Sequence, residues 1–394
     1  MTWKTVRLED VCTIYNGGTP KSKTKSYWEG DIKWLTPKDM GKLDGKFVSD
    51  TARKITHDGL NNSSAKLVPA NSVILSCRAP IGHVFINECD MSFNQGCKGL
   101  VPSNEILVEY LYYFLFSSKQ LLNDLGTGTT FKEISSKTLS NVSFSYPPLA
   151  EQERIVAKLD AAFAEIDRGI EVVKEGLENI NVLQKNYIDN LFKSISGEKT
   201  ILENVTSALT CGVAKRPNYT DKGVPFLSAR NVKNGKMKWE NYKYVDNDTH
   251  LKLTKYNKPE IGDILYSRVG AGFGDAAIID KNIEFSIFVS LTLIKPDKEL
   301  HNEYLCHYLN SSFVKKLAAS SITGTGVGNL NVGAVRKFPI TIISKEQQIL
   351  VSEKINVFLK KLDKLKFINK KKINSLQALK SAMLSQELQS SEAA

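Results

Sequence analysis

The chain has 394 residues, 42% hydrophobic and 24% charged, a composition that excludes a disordered polymer. Its longest apolar run, residues 110–116, falls far short of the roughly 20 residues that cross a bilayer. Fifty-three Lys and Arg against 42 Asp and Glu leave a net charge of +11, which fits an anionic partner, nucleic acid first.

The start, Met1-Thr2-Trp3-Lys4, carries no apolar export segment, so a cytoplasmic location is expected. Short β-rich runs are predicted at 31–35 and 72–76, between turns rich in Gly, Pro, Asn and Ser. A helix is predicted at 105–118. From 150 to 193 Pro is absent and Gly rare, and apolar residues recur at three-four spacing from Val156 through Leu159, Phe163, Ile166, Ile170 and Val173 to Leu191. That spacing predicts a coiled-coil helix. The order then repeats: strands at 224–227, 263–266 and 338–343, a helix at 299–311, and a second long helix at 345–388 with a less regular apolar stripe.

The two halves share residues as well as order. Pro69, Ile74, Leu75 and Arg78 return as Pro259, Ile264, Leu265 and Arg268, each 190 positions later. Glu109-Tyr110-Leu111 returns as Glu303-Tyr304-Leu305, Thr127-Gly128-Thr129 as Thr323-Gly324-Thr325, and Glu151-Gln152 as Glu346-Gln347. Four blocks in one order, with an offset drifting by a few residues, indicate a duplicated unit. The expected domains are a first globular domain at 1–148, a central helix at 149–197, a second globular domain at 198–343, and a C-terminal helix and tail at 344–394. The helices differ in charge: 150–193 carries nine acidic and six basic residues, 345–388 four acidic and ten basic. Opposite charge favours their pairing with each other. A helix of 44 residues is about 66 Å long, enough to hold two globular units at a fixed distance.

Chemistry-bearing motifs are few. Six cysteines form no C-x-x-C pair, and five histidines show no zinc spacing. The run Gly270-Ala271-Gly272-Phe273-Gly274 suggests a nucleotide loop, but the first half matches only Gly272, with Gly82, and no helix long enough for a βαβ unit follows. It is read as a turn. Tyr146-Pro147-Pro148-Leu149 lacks the amide or carboxylate that an amino-methyltransferase motif needs ahead of its prolines. What stands out is binding material in loops. Thr19, Lys21, Lys23, Lys25 and Tyr27 mix cations, a hydroxyl and an aromatic; Lys215, Arg216, Asn218 and Tyr219 form the counterpart. Thr36 and Lys38 recur as Ser228 and Arg230, beside Asn231. Arg78 and Arg268 close a strand in each half, and Thr129, Lys132, Asn329 and Asn331 lie in polar loops. Lysines and hydroxyls suit phosphate; Arg and Asn suit guanine and adenine edges. All twenty are taken as DNA-facing candidates.

The helix-start segment Pro147-Pro-Leu-Ala-Glu-Gln-Glu-Arg-Ile-Val-Ala-Lys-Leu-Asp160, its looser second copy at 342–351, and the blocks Gly17-Gly-Thr-Pro20, Tyr27-Trp28-Glu29-Gly30-Asp31 and Pro37-Lys38-Asp39-Met40 resemble the specificity (S) subunits of type I restriction–modification systems. The resemblance covers the whole chain. It departs in the second half, where Gly17-Gly-Thr-Pro20 becomes Gly212-Val213-Ala214-Lys215. It implies an α+β chain with two tandem target-recognition domains, each followed by a long helix, the helices paired as an antiparallel coiled coil with pseudo-twofold symmetry. It implies that each domain reads one half of a split, asymmetric site in double-stranded DNA, with the helix pair as ruler. It implies no active site, metal or cofactor in this chain and no membrane contact. The partners implied are two modification (M) subunits, which bind S-adenosylmethionine and methylate adenine, and two restriction (R) subunits using ATP and magnesium. The competing readings are a stand-alone methyltransferase or nuclease, which the missing motifs oppose, and a DNA-binding regulator or scaffold without a modification partner.

Overall fold

The strand Val73–Ser76 is buried along its whole length, and its neighbours explain why. In this computed structural model, which describes residues 2–78, 80–128, 132–256, 258–269, 273–323 and 329–388, it lies inside a five-stranded sheet. The sheet order is Cys12–Asn16, Cys97–Pro102, Val73–Ser76, Val84–Asn87, Phe47–Val48. Val73 and Leu75 face a core built with Tyr110, Leu111 and Leu115 of the helix Val108–Ser117. Ile74 faces the other way, into a cluster with Phe85, Met91 and Phe93. A strand covered on both faces reads as a continuous apolar run rather than an alternating one. A four-stranded sheet, ordered Lys54–Ile55, Trp28–Leu35, Met91–Phe93, Leu67–Val68, and the antiparallel pair Lys4–Arg7 with Ser143–Tyr146 complete the strands of this half.

The second half repeats the plan. Thr206–Cys211, Leu291–Pro296, Ile264–Ser267 and Ala276–Ile278 form one sheet in the same order. Lys243–Val245, Val224–Leu227 and Ser286–Ile287 form another, and Glu198–Ile201 pairs with Pro339–Ile342. Ile264 and Tyr266 face the core under the helix Asn302–Leu309, while Leu265 faces Phe285 and Ile287.

These facings correct the residue-level repeat. Val73, Ile74 and Leu75 correspond to Ile264, Leu265 and Tyr266, 191 positions on rather than 190. Backbone bonds agree: Ser76 N–H donates to His83 O as Ser267 N–H donates to Asp275 O, both at about the same place in the hairpin. Arg78 and Arg268 are therefore not equivalents; Cys77 stands where Arg268 does, its N–H on Gly96 O as that of Arg268 is on Ser290 O. A one-residue slip in a strand exchanges its faces, so shared identities at the wrong register misplace every side chain. Likewise Gly82 (φ 97°) matches Gly274 (φ 81°), not Gly272, and Gln152 matches Gln348, not Gln347.

The two long helices run Leu149–Lys193 and Lys345–Leu388. The helices expected at 105–118 and 299–311 are shorter, Val108–Ser117 and Asn302–Leu309, and separate short helices Lys119–Leu125 and Ser312–Ser320 follow them. The chain divides into two compact units: 1–173 with 371–394, and 174–370. Each takes one globular half and a part of both long helices. In the first unit Lys158 binds Glu387 at 2.7 Å and Asp167 binds Lys380 at 2.6 Å, so the helices run antiparallel. In the second, Lys366 donates to Gln184 at 2.8 Å and Tyr187 stacks on Phe358 with centroids 3.9 Å apart, again antiparallel. The seam is tight in the first unit, with Leu159, Ile166, Ile170 and Val173 buried. In the second unit Leu177, Ile180 and Gln184 are only half-buried. Among the described residues no helix is long and apolar enough to cross a membrane.

Candidate nucleic-acid interface

In the second unit a groove of about 900 Å³ is lined by residues from several segments of the chain. Arg216 and Tyr219 come from the loop after Thr206–Cys211; Ser228 and Arg230 from the turn after Val224–Leu227; Lys233 and Asn234 from the next hairpin; Asn241, Tyr242 and Lys243 from the segment entering Lys243–Val245; Lys315 from Ser312–Ser320. Local chemistry shapes each piece. Ser228 and Asn231 form a reciprocal cap, with Ser228 N–H donating to Asn231 Oδ1 at 3.0 Å, and this leaves Arg230 exposed at the turn's crest. Val232–Lys233 and Lys236–Met237 form a two-residue hairpin through Asn234 and Gly235, at φ 53° and 74°. Asn-Gly is the pair such a turn favours, because both central residues are left-handed.

The floor is aromatic. Tyr219 and Phe226 lie 5.8 Å apart, Phe226 and Phe288 6.1 Å, and Arg216 sits over Phe288 at 6.0 Å. Burial pushes up the Tyr242 phenol pKa, with Tyr244 beside it adding to the effect, so it stays a neutral hydroxyl. Five cations line the groove against one carboxylate, Asp275. That carboxylate is already committed, to Lys315 at 2.5 Å and to the Asn234 N–H at 2.9 Å. A concave surface with excess positive charge and exposed aromatic and amide groups suits a polyanion that carries flat bases.

The first unit builds the corresponding wall from different residues. Gly17 and Gly18 donate to Cys97 O and Phe93 O at 3.2 and 3.0 Å. A Cβ on Gly17 would stand 1.9 Å from Asn94 O, and one on its counterpart Gly212 2.2 Å from Ile287 O, so glycine is required at both. At the next position a Cβ on Gly18 would meet the Ala65 backbone at 2.3 Å, whereas the second unit accepts Val213 there. Beyond the glycines Lys21, Lys23 and Lys25 are exposed and, among the described residues, make no ion pair. Thr19 donates to the Gln95 side chain, and Tyr27 is half-buried with its carbonyl on Thr56 N–H at 3.1 Å. Thr36 accepts from Asp39 N–H at 3.2 Å and donates to its carboxylate at 2.7 Å, capping the turn that exposes Lys38. Lys38 thus matches Arg230 in place.

Of the sequence-derived candidates, the groove gathers Arg216, Tyr219, Ser228 and Arg230. Lys215 and Asn218 are exposed but do not line it. Two candidates, Arg268 and Asn231, are buried and serve the fold, and a third, Asn331, is exposed and caps a helix. Arg268 is buried; Nε and Nη2 donate to Val289 O at 3.1 and 2.7 Å and Nη1 to Leu330 O at 2.8 Å. Burial lowers its pKa, and its donors on these carbonyls leave it no reach to the surface. Asn231 is buried, with Nδ2 on Lys238 O and Glu240 O at 2.9 and 3.0 Å. Asn331 caps Val332–Arg336 by accepting from Gly333 N–H at 2.8 Å. Arg78 is half-exposed and paired to Glu133 at 3.3 Å, and Lys132 is exposed. Asn329 pairs through its backbone with Thr323, its side chain outside the described atoms. Thr129 and residues 270–272 and 324–328 lie outside the described residues. Sequence reasoning missed Lys233, Asn234, Asn241, Tyr242, Lys243 and Lys315. Only the Asn-Gly hairpin carried a signal; the others are ordinary surface residues until the fold brings them together.

The pattern of the family described as type I restriction modification DNA specificity domain matches residues 1–175 and 213–378. The chain belongs to this family. The MjaIX specificity subunit of Methanocaldococcus jannaschii is 28% identical over 97% of this chain and 91% of its own length. The EcoR124I/EcoR124II specificity subunit of Escherichia coli is 34% identical over 47% of this chain and 46% of its own. Among solved structures, a chain from a study of assembly and conformational transition in the type I system superposes with TM-score 0.73 at 17% identity, covering 98% of this chain and 97% of that one. The HsdS subunit of Thermoanaerobacter tengcongensis gives 0.53 at 18% identity, with 98% and 96% covered. This protein is a type I specificity subunit, and the duplicated α+β plan with two long helices is the fold its relatives share.

Proposed function

We propose that each unit of this specificity subunit reads one half of a split DNA site, and that the paired helices set the unread gap. The observation that carries this reading is the recurrence, in both units, of a cationic and aromatic wall beside a capped turn. Lysines at the wall contact phosphate and set register; arginine and amide groups discriminate bases, at about 1–3 kcal/mol for each good bidentate pair. Half-sites roughly 10 base pairs apart present the same face of the duplex to both units. The chain works with DNA and with modification and restriction subunits, two of each in this reading. Methylation with S-adenosylmethionine and ATP- and magnesium-dependent cleavage belong to those partners, and this chain supplies address and scaffold.

Selection of bound DNA from a random pool, using the chain copurified with its modification subunit, tests the reading. The expected result is two short motifs separated by a fixed unread gap. A single continuous motif, or none, overturns it.

A further inference from the structure

We propose that Arg53 is a specificity-determining residue of the first unit and reads a guanine in its half-site. The inference rests on the two-headed reading above and deepens it. Of the nine arginines in the chain, five are tied to carboxylates and Arg268 to backbone carbonyls. Among the described residues the remaining three, Arg53, Arg216 and Arg230, have no carboxylate partner. Two of them line the groove of the second unit. The third occupies the matching place in the first. Trp34 N–H donates to Arg53 O at 3.1 Å, which sets those two residues opposite each other, as Phe226 is set opposite Lys243. Trp34 precedes the Thr36 cap by the same two residues that separate Phe226 from the Ser228 cap. Lys243 lines the groove. Arg53 therefore holds a groove-lining position.

Its geometry is that of a prepared reader. The guanidinium carbon lies 3.6 Å from the centroid of Trp28 and 5.3 Å from that of Trp34. The two indoles meet edge to face at 5.0 Å, and their N–H groups are fixed on Lys21 O and Gly18 O at 3.3 and 2.9 Å. Stacking on a fixed ring holds the guanidinium plane while leaving its N–H edge free, and Arg53 is exposed. A planar fork with two parallel donors matches guanine O6 and N7; the ammonium of Lys243 at the equivalent place does not present that fork.

The test repeats the pool selection with the complex carrying Arg53→Lys and Arg53→Ala. The wild-type complex is expected to demand guanine at one position of one half-site. Both variants are expected to reduce that preference tenfold or more, with the other half-site and the gap unchanged. Lys keeps the charge and loses the fork, so it separates base reading from phosphate binding. Full rescue by Lys, with a uniform loss across sequences in the Ala variant, makes Arg53 a phosphate contact and overturns the assignment. Unchanged preference in both variants overturns it as well. A melting curve of each complex identifies a variant that has lost its fold, and the Lys variant keeps the charge and the aliphatic stem while losing the planar stack. A wild-type complex that selects no split motif overturns the two-headed reading and the assignment with it.

Discussion

Arg53 and Arg268 are the same residue type at strand ends, and the chain uses them in opposite ways. Arg268 turns inward and ties Val289 O, in a turn, and Leu330 O, in a short strand, two segments that only the fold makes neighbours. Substituting Met removes those donors and leaves buried carbonyls unpaired, at a cost of about 2–4 kcal/mol. Denaturant unfolding is expected to show a lower midpoint for Arg268→Met, with base preference of the folded complex intact. A changed motif at unchanged stability would return Arg268 to the interface. The sequence reading took Arg268 for a DNA-facing cation and passed over Arg53. The repeat itself misled, because Ile74, Leu75 and Arg78 share identities with Ile264, Leu265 and Arg268 one residue out of register. Identity at a short apolar run is cheap; the facing of each side chain is set by what packs on the sheet, and no single strand carries that information.

At the scale of elements, the long helices were legible and their anchorage was not. A stretch without proline and with three-four apolar spacing admits little besides a helix. What fastens each helix to its globular half is a buried glutamine one turn in. Gln152 accepts from Leu107 N–H at 2.9 Å and donates to Glu105 O and Pro147 O, each at 2.9 Å. Gln348 repeats this with His301 N–H at 2.7 Å and with Glu299 O and Ile343 O, each at 2.9 Å. Both side chains are fully buried. One amide thus satisfies three backbone groups that loops leave behind. Gln152→Ala and Gln348→Ala are each expected to destabilise their own unit by about 2–4 kcal/mol, through unpaired buried groups. Hydrogen exchange checks this locally: the Leu107 amide exchanges faster in the first variant and the His301 amide in the second, each without effect on the other. The groove shows the same limit of sequence. Its capped turns and the Asn-Gly hairpin were readable as local chemistry, but Lys243 and Lys315 enter the wall from segments more than 70 residues apart.

At the scale of the molecule, the duplication was the most legible feature, since order survives where register does not. The division into units adds a fact that the sequence did not show: each long helix passes from one unit into the other, changing at 173/174 and at 370/371. If these helices set the distance between half-sites, lengthening both must lengthen the gap. One heptad inserted after Val173 and another before Lys371 adds about 10.5 Å to each helix. At about 3.4 Å per base pair that corresponds to roughly three base pairs. Seven residues return the helix face to within about 20°, so the seam is preserved. Three base pairs, however, rotate the far half-site by about 100° around the duplex, since a turn takes 10–10.5 base pairs. The expected outcome is a pair of unchanged half-site motifs with a gap about three base pairs longer and a weaker overall affinity, because DNA or protein must twist to restore both contacts. Pool selection measures the first and a binding isotherm the second. An unchanged gap with both motifs retained would mean that the helices fasten the units without setting their spacing.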